Sequence, residues 1–346
     1  MNTDLNMNTD KRTAGELATL YAAQIKGKII LTTGVSPGSV GAAFVKALAT
    51  VEPALLVLAG RNSGKVQQTA EAISEQSPSV KVRTLDLDLA SLEGVRKAAA
   101  TVNAWDDVPR IDVLVNNAAV MAVDWAASPE GLDSQFVTNY LGPFLFTNLL
   151  MDKLLKSPAP RIVNVTSDGH RLGPVRFDDY NFQVSSISPP APSRARDKES
   201  DREAVDLDRL LGNAPAFIDW SKVSLMPDPP EVGANTLVYG AFDPEVSKHN
   251  GGYLLSCRLA DPWTDTVRPW ATSSFEAARL WKLSEKLLEF NSRCPLIPDI
   301  RFSPDECIKT VRDYHDFLKD MDLPDTEVMQ QPEGADRASP SKTSGP

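Results

Sequence analysis

The chain has 346 residues, 42% of them hydrophobic, so it can bury one sizeable core. The formal net charge of -10 argues against a nucleic-acid or anionic-membrane surface, because both need clustered cations, and favours a small-molecule partner. The three cysteines lack C-x-x-C spacing, which argues against a metal site. Apolar runs such as Ala54–Ala59 are too short to span a membrane, so we expect a cytoplasmic protein. Whether it forms a homo-oligomer is left open.

Residues 1–25 are predicted to form an N-terminal extension before a regular domain. From residue 28 to about 170, apolar runs of strand length alternate with segments of helical period, which is typical of βαβ units. The predicted strands are Lys28–Thr33, Ala54–Ala59, Val80–Leu85, Ile111–Val115 and Arg161–Thr166. The predicted helices are Gly41–Ala49, Lys65–Gln76, Leu92–Ala104 and Gly131–Leu155. The pattern predicts an α/β fold with a doubly wound parallel sheet.

The composition changes after Phe182. Residues 183–205 are rich in Ser, Pro and charge and have no period, so we expect a disordered loop. The domain is predicted to continue to residue 290, with weak structure at 206–211, a helix near Glu231–Phe242, a strand at Gly252–Cys257 and a helix near Ser274–Phe290. Residues 291–346 are predicted to hold a short helix at 305–319 and a disordered tail.

A glycine-rich turn between the first strand and the first domain helix indicates a nucleotide site. Backbone can approach a pyrophosphate closely only where side chains are absent, and a helix N-terminus then supplies free N–H groups. The residues expected to contact the phosphates are Gly34, Ser36, Gly38, Ser39, Val40 and Gly41. A tight strand–helix turn without a ligand is the alternative. The turn also matches G-x-S-x-G, but Pro37 has no N–H for an oxyanion hole, which argues against a hydrolase.

Arg61 follows the second strand, where an NAD enzyme would often carry an acidic residue for the ribose hydroxyls. A guanidinium at this position suits a 2′-phosphate, so NADP is the predicted cofactor. A solvated arginine at a strand end is the alternative.

Four motifs in this order resemble those of the classical short-chain dehydrogenase/reductase family, and most closely its retinol-dehydrogenase-like branch. They are Thr33-Gly34 with Gly41, Asp88-Leu89, Asn116 to Ala119, and Arg161 to Ser167. The similarity covers about residues 12–182 and 206–290. It implies a Rossmann-like sheet with strand order 3-2-1-4-5 and NADP(H)-dependent oxidoreduction of a carbonyl or alcohol on a small organic substrate.

The resemblance also assigns expected roles to individual residues. Asp88 and Leu89 would flank the adenine, and Asn116 and Ala118 would lie under the adenosine side of the cofactor. Asn139 would help to order a proton-relay water, and Ser167 would hydrogen-bond the substrate oxygen. Structural alternatives stay open: Asn117 as a turn former and Ser167 as a plain strand-end hydroxyl. Ser39 stands where a related form has glycine, and its side chain is expected to crowd the pyrophosphate.

The proton-donating motif of that family is missing. In the family, a tyrosine phenol protonates the carbonyl oxygen, and a lysine four residues on lowers its pKa. None of the six tyrosines, at 21, 140, 180, 239, 253 and 314, has a lysine four residues on. The catalytic helix and the sixth family strand are expected to be absent, with the irregular residues 183–205 in their place and Gly252–Cys257 near the sheet edge beyond the fifth strand.

Two functions therefore stay open: an NADP(H)-dependent oxidoreductase, or a catalytically impaired NADP-binding protein or truncated gene product. A substitute acid would come from near Ser167. His170 and Tyr180 are the candidates, although His170 is also explained as an ordinary loop histidine of this branch and Tyr180 lacks the lysine.

Overall fold

The computed structural model describes residues 11–121, 123–167, 169–170, 173–182, 229–261, 265 and 267–289. The chain divides into two compact units, Met1–Cys294 and Pro295–Pro346, and all described residues lie in the first. The predictions for residues 183–205, 206–211 and 291–346 fall outside the described residues.

The predicted alternation of strands and helices is present, and a side chain caps the start of six of the twelve described α-helices. The N-terminal half contains α1 (Ala14–Leu20), α2 (Ala22–Ile25), β1 (Ile29–Thr33), α3 (Val40–Ala49), β2 (Leu55–Gly60), α4 (Ser63–Gln76), β3 (Val82–Asp86), α5 (Leu92–Asn103) and β4 (Val113–Asn116). There follow α6 (Ser134–Phe136), a π-helical turn (Val137–Leu141), α7 (Gly142–Leu149), α8 (Met151–Leu155) and β5 (Arg161–Asn164). The last described elements are α9 (Pro230–Gly233), α10 (Asn235–Phe242), a 3₁₀ turn (Glu245–Lys248), β6 (Leu254–Leu255), β7 (Arg258–Leu259), α11 (Pro269–Thr272) and α12 (Ser274–Leu288).

The five-stranded sheet is parallel and has the order β3-β2-β1-β4-β5, which confirms the predicted order. Alternate residues of β1 enter different cores: Ile30 packs in one hydrophobic cluster, and Ile29 and Leu31 pack in the other. Helices therefore cover both faces of the sheet, as a doubly wound fold requires. The polar strand ends meet at one edge, where the glycine-rich turn lies.

The helix predicted over Gly131–Leu155 is wrong as a single element. Asp133 caps a helix that begins at Ser134, and the ladder widens to a π-helical turn in which the Gly142 N–H donates to the Val137 carbonyl. Pro143 supplies no N–H, which favours such an irregularity. The helix ends before Leu150, and a separate short helix follows.

The strand predicted for Gly252–Cys257 is also wrong in its length. Only Leu254 and Leu255 are extended, and they pair antiparallel with Arg258 and Leu259 rather than with β5. Ser256 and Cys257 have positive φ values of 49° and 59°, so the chain turns back after two residues. In the described part of the chain β5 has β4 as its one strand partner.

Helix α1 packs into the domain although it belongs to the predicted extension. Leu17 and Ala18 are fully buried in the first cluster, beside residues of α3 and α10. Thr13 and Glu16 form a reciprocal capping box that begins the helix. The domain boundary at residue 26 stays a prediction. None of the described helices is long and apolar enough to cross a membrane.

Candidate functional site

The glycine-rich turn fits closely against the turn after β4. Gly34 has a φ of 75°, and a Cβ there would lie 2.6 Å from the Ala118 Cα. The Gly34 N–H donates to the Ala59 carbonyl of β2 at 2.9 Å. A side chain at position 34 would therefore force the two turns apart, which explains the glycine physically.

Asn117 holds these two turns together. Its Nδ2 donates to the carbonyls of Thr33 and Gly34, both at 2.9 Å. The backbone N–H groups of Asn117 and Ala118 donate to the Thr33 Oγ1, each at 3.0 Å. Asn117 is thus a turn-forming residue of the strand end, which was one of the interpretations left open.

The outer part of the turn is open toward solvent. Gly38 has a φ of 77° and open space where a Cβ would stand, and the Ser36 hydroxyl has no hydrogen bond within the described residues. At the start of α3, the N–H groups of Val40 and Gly41 have no intrahelical acceptor, and the positive end of the helix dipole lies there. These features fit a pyrophosphate.

Ser39 does not behave as a crowding side chain. Its hydroxyl accepts the Ala42 N–H at 3.1 Å and donates to the Gly34 carbonyl at 3.2 Å. The side chain caps α3 and is bonded within the turn, which argues against the expected obstruction of the pyrophosphate.

Three further predicted cofactor residues surround the strand ends. Arg61 is exposed directly after β2 and has no hydrogen bond or ion pair within the described residues. The Asp88 Oδ1 accepts the Ala90 N–H at 3.1 Å, which shapes the turn after β3. Leu89 is buried in the second core cluster, so only its backbone can face a ligand.

Asn116 ends β4 and is almost fully buried. Its Nδ2 donates to the Thr147 Oγ1 at 3.0 Å and to the Asn164 Oδ1 at 2.9 Å, which joins the ends of β4 and β5. Its Oδ1 is buried and has no partner in the part of the chain that the structure describes. A buried acceptor without a partner is costly, so this atom is suited to a ligand or a water.

The two residues expected to act in catalysis follow neighbouring parts of the sheet. Asn139 lies in the π-helical turn, and its side-chain amide makes a reciprocal pair of hydrogen bonds with the Val120 backbone at 2.8 and 2.7 Å. Ser167 is exposed after β5, and its Oγ accepts the Gly169 N–H at 3.1 Å. The Asn139 amide and the Ser167 hydroxyl therefore both lie at the edge of the sheet where the strands end.

A histidine–tyrosine pair adjoins Ser167. The His170 Nδ1 lies 2.9 Å from the Ser167 carbonyl oxygen and 3.3 Å from the Tyr253 phenol oxygen. The Trp270 indole N–H donates to the His170 carbonyl at 2.8 Å. Tyr253 was missed from the sequence because 83 positions separate it from His170 and no motif links them.

Other tyrosines are less suited to give up a proton. Burial raises the pKa of Tyr140 to about 12, although a hydrogen bond with Ser284 acts in the opposite direction. Burial and the hydrogen bond to Asp243 raise the pKa of Tyr21. Tyr180 packs its ring near Phe136, with centroids 6.1 Å apart.

Comparison with known proteins agrees with this geometry. The family model described as short chain dehydrogenase matches residues 28–181. The chain is 35% identical over 196 residues to oxidoreductase fscI of Fusarium equiseti, and the match covers 55% of this chain and 73% of that protein. It is 40% identical over 162 residues to retinol dehydrogenase 13 of Mus musculus, covering 47% of each chain. The human retinol dehydrogenase 13 is 38% identical, with 47% of this chain and 48% of that protein covered.

The chain thus spans about half the length of the two retinol dehydrogenases. A crystal structure of an uncharacterised protein from Mycobacterium paratuberculosis superposes with a TM-score of 0.51 at 24% identity, covering 78% of this chain and 98% of that one, which supports the fold alone. Members of the matched family are oxidoreductases that bind nicotinamide cofactors and act on small molecules. The sheet order, the glycine-rich turn and the sequence matches together show that this chain belongs to the short-chain dehydrogenase family and is retinol-dehydrogenase-like.

Proposed function

We propose that the protein is an NADP(H)-dependent oxidoreductase that acts on a carbonyl or alcohol of a small organic molecule. The observation that carries the proposal is the open glycine-rich turn at the start of α3, with Arg61, which has no partner among the described residues, at the end of the neighbouring strand. In this arrangement, the N–H groups of Val40 and Gly41 bind the pyrophosphate, with Gly34 and Gly38 letting the backbone approach it.

The other predicted residues divide between the two ends of the cofactor. Arg61 binds the 2′-phosphate, and Asp88 with the backbone of Leu89 lies beside the adenine. Asn116 and Ala118 lie under the adenosine side of the cofactor. The Asn116 Oδ1, buried without a partner in the described part of the chain, supports a polar ligand near this strand end.

The chemical step divides between the cofactor and the chain. Bound NADPH supplies a hydride to a carbonyl carbon. The Ser167 hydroxyl hydrogen-bonds the carbonyl oxygen, and it is accessible for this because the side chain is exposed. Asn139 acts mainly by positioning, since both polar atoms of its amide are bonded to Val120 after β4.

The substrate is proposed to be largely apolar. Exposed apolar side chains follow the ends of β4 and β5, namely Met121, Trp125, Val165 and Val175. Two similar proteins carry the name retinol dehydrogenase. All-trans-retinal is therefore a reasonable first substrate to test. A cytoplasmic location is part of the proposal.

Cofactor preference tests the proposal directly. We expect fluorescence titration to show tighter binding of NADPH than of NADH, and Arg61→Asp to abolish the preference by weakening NADPH about tenfold, as expected for a lost charge-assisted contact. Lys81→Asp is the matched control, because it makes the same charge change on an exposed cation at the opposite end of the sheet, before β3. Equal affinities of the unmodified protein for both cofactors would contradict the proposal.

A second candidate is a catalytically impaired NADP-binding protein, and the missing Tyr-Lys pair favours it. Losing a positioned general acid costs about 10²–10⁴ in rate, so we expect slow turnover. NADPH absorbance with retinal or para-nitrobenzaldehyde measures it, and the residual rate should fall in Ser167→Ala and in Asn139→Ala. Tight NADPH binding without any turnover would establish the impaired protein instead.

A further inference from the structure

We propose that Tyr253, held by His170, replaces the family's missing tyrosine as the proton donor to the substrate oxygen; this rests on the proposed oxidoreductase function. Tyr253 immediately precedes β6 and is half-buried. Its phenol oxygen lies one hydrogen-bond length from an imidazole that is itself bonded to Ser167.

Three separate parts of the chain fix this pair. The His170 backbone N–H and Nδ1 both contact the Ser167 carbonyl, at 3.1 and 2.9 Å. The indole N–H of Trp270, on α11, donates a hydrogen bond to the His170 carbonyl. The rings of His170 and Tyr253 pack with centroids 5.1 Å apart and planes inclined by 48°. The phenol oxygen is therefore joined through His170 to the backbone carbonyl of Ser167, the residue whose hydroxyl is expected to bind the substrate oxygen.

The contacts of the imidazole define what it can do. A carbonyl oxygen only accepts, so the Nδ1 facing Ser167 must carry a hydrogen. The Nε2 is buried and has no partner among the described residues, and an imidazolium there would leave a buried N–H unpaired. With a hydrogen on Nδ1 the imidazole donates to the Ser167 carbonyl, and the same hydrogen lies near the Tyr253 oxygen, which is 3.3 Å from Nδ1. A donor at that position stabilises a phenolate as it forms.

No other described tyrosine has such a neighbour. The Tyr21 hydroxyl is bonded to Asp243 and the Tyr140 hydroxyl to Ser284, and neither contacts His170 among the described hydrogen bonds. Tyr180, a candidate on sequence grounds, packs against Phe136. Tyr253 is thus the described tyrosine whose phenol oxygen contacts a group joined to Ser167.

The step balances with the groups named. Bound NADPH would supply the hydride that forms the new C–H bond at the carbonyl carbon, and the Tyr253 O–H bond would break as its proton forms the O–H bond of the product alcohol. The resulting phenolate is stabilised by the His170 Nδ1–H and takes a proton from solvent. Aldehyde, NADPH and one proton thereby become alcohol and NADP⁺. Tyr253 is the catalytic residue, and His170 is a positioning residue.

The test compares Tyr253→Phe and His170→Gln with the unmodified chain, using para-nitrobenzaldehyde and NADPH. Tyr239→Phe is the matched control, because it removes a phenol on α10 that makes no hydrogen bond within the described residues. We expect kcat to fall about 10²-fold in Tyr253→Phe, with NADPH affinity and circular dichroism unchanged. In His170→Gln we expect a smaller fall in kcat with KM unchanged. Tyr239→Phe should match the unmodified protein.

A second measurement is independent of turnover. The chain has three histidines, so the nitrogen chemical shifts of the His170 imidazole can be assigned by comparison with His170→Gln. They should show an Nδ1–H tautomer and should change in Tyr253→Phe but not in Tyr239→Phe. Unchanged shifts, or normal turnover by Tyr253→Phe, would overturn this inference and leave the proposed function intact. No reduction by the unmodified protein would overturn the proposed function, and this inference with it.

Discussion

Ser39 shows how one hydroxyl can be misjudged from a motif. By comparison with glycine at the related position, the side chain is expected to crowd a pyrophosphate, yet the hydroxyl bonds to Ala42 and Gly34 instead. A serine before a helix competes for the same N–H groups that a phosphate would bind, and here it takes only the third one. The first two N–H groups remain for a ligand.

Substitutions of Ser39 separate its contribution to stability from its effect on cofactor binding. Ser39→Ala should lower the free energy of unfolding by about 1 kcal/mol, and Ser39→Gly by roughly 0.3 kcal/mol, because alanine is the poorer cap. Urea denaturation measures both. Ser63→Ala is the control, since Ser63 is the exposed first residue of α4 and does not cap it. Because the Ser39 hydroxyl is bonded within the turn and not toward the proposed pyrophosphate, the NADPH affinity of Ser39→Gly should change less than about tenfold. A larger gain in affinity would support the interpretation that Ser39 crowds the pyrophosphate.

Among the elements, helix α1 departs most from its predicted status. An N-terminal stretch before a regular domain is ordinarily peripheral, but α1 lies in the first core cluster. The Tyr21 hydroxyl at its end donates to Asp243 beyond α10 at 2.6 Å. The helix therefore supports the part of the fold that covers β5.

A pair of leucines on α1 tests this role. Leu17 is fully buried and Leu20 is 58% exposed, so the same substitution can be made on both sides of one helix. Leu17→Ala should cost about 2–5 kcal/mol of unfolding free energy, as for other core truncations, whereas Leu20→Ala should stay within about 0.5 kcal/mol. Equal urea midpoints for the two variants would show that α1 does not contribute to the core.

The sequence predicts the middle of the parallel sheet well because burial on both faces makes β2 and β4 almost continuous apolar runs. The sequence predicts α1 poorly. Thr13 and Glu16 carry the capping-box signal, but the pattern of a short amphipathic segment does not indicate which surface it packs against. The turn at Ser256 and Cys257 was missed because neither residue type favours positive φ. The pairing of His170 with Tyr253 depends on tertiary contacts, which no local pattern encodes.

On the scale of the whole molecule, Asp112 joins three strands opposite the nucleotide site. Its carboxylate is fully buried and accepts hydrogen bonds from the Ile29 N–H, the Ser157 hydroxyl and the Arg110 guanidinium. Its backbone bonds to Ile29 and Arg161, so β1, β4 and β5 meet at this residue. Burial alone would raise the pKa of Asp112, but these three donors outweigh it and lower the pKa.

Acid unfolding should therefore depend on Asp112. A lowered folded-state pKa means that its stabilisation is present above the unfolded value of about 3.9 and is lost as the pH falls through the folded value. Asp112→Asn should cost about 3 kcal/mol near neutral pH, and the difference from the unmodified protein should shrink in acid. Asp152→Asn, an exposed carboxylate on α8, should show little difference at any pH. A constant difference for Asp112→Asn from neutral to acid pH would contradict this account.

The bonds from Asn117 and Ala118 to Thr33 also bear on the order of folding. They join residues 84 and 85 positions apart, so the glycine-rich turn acquires its shape only after β4 has docked beside β1. Closing so long a loop costs entropy before any contact repays it, which delays such pairings relative to local helices. During synthesis, a chain that has not yet released residue 118 from the ribosome lacks the contacts that shape its nucleotide site. Cofactor binding is thus a late event in folding, and free NADPH can stabilise the assembled domain without guiding the first steps toward it.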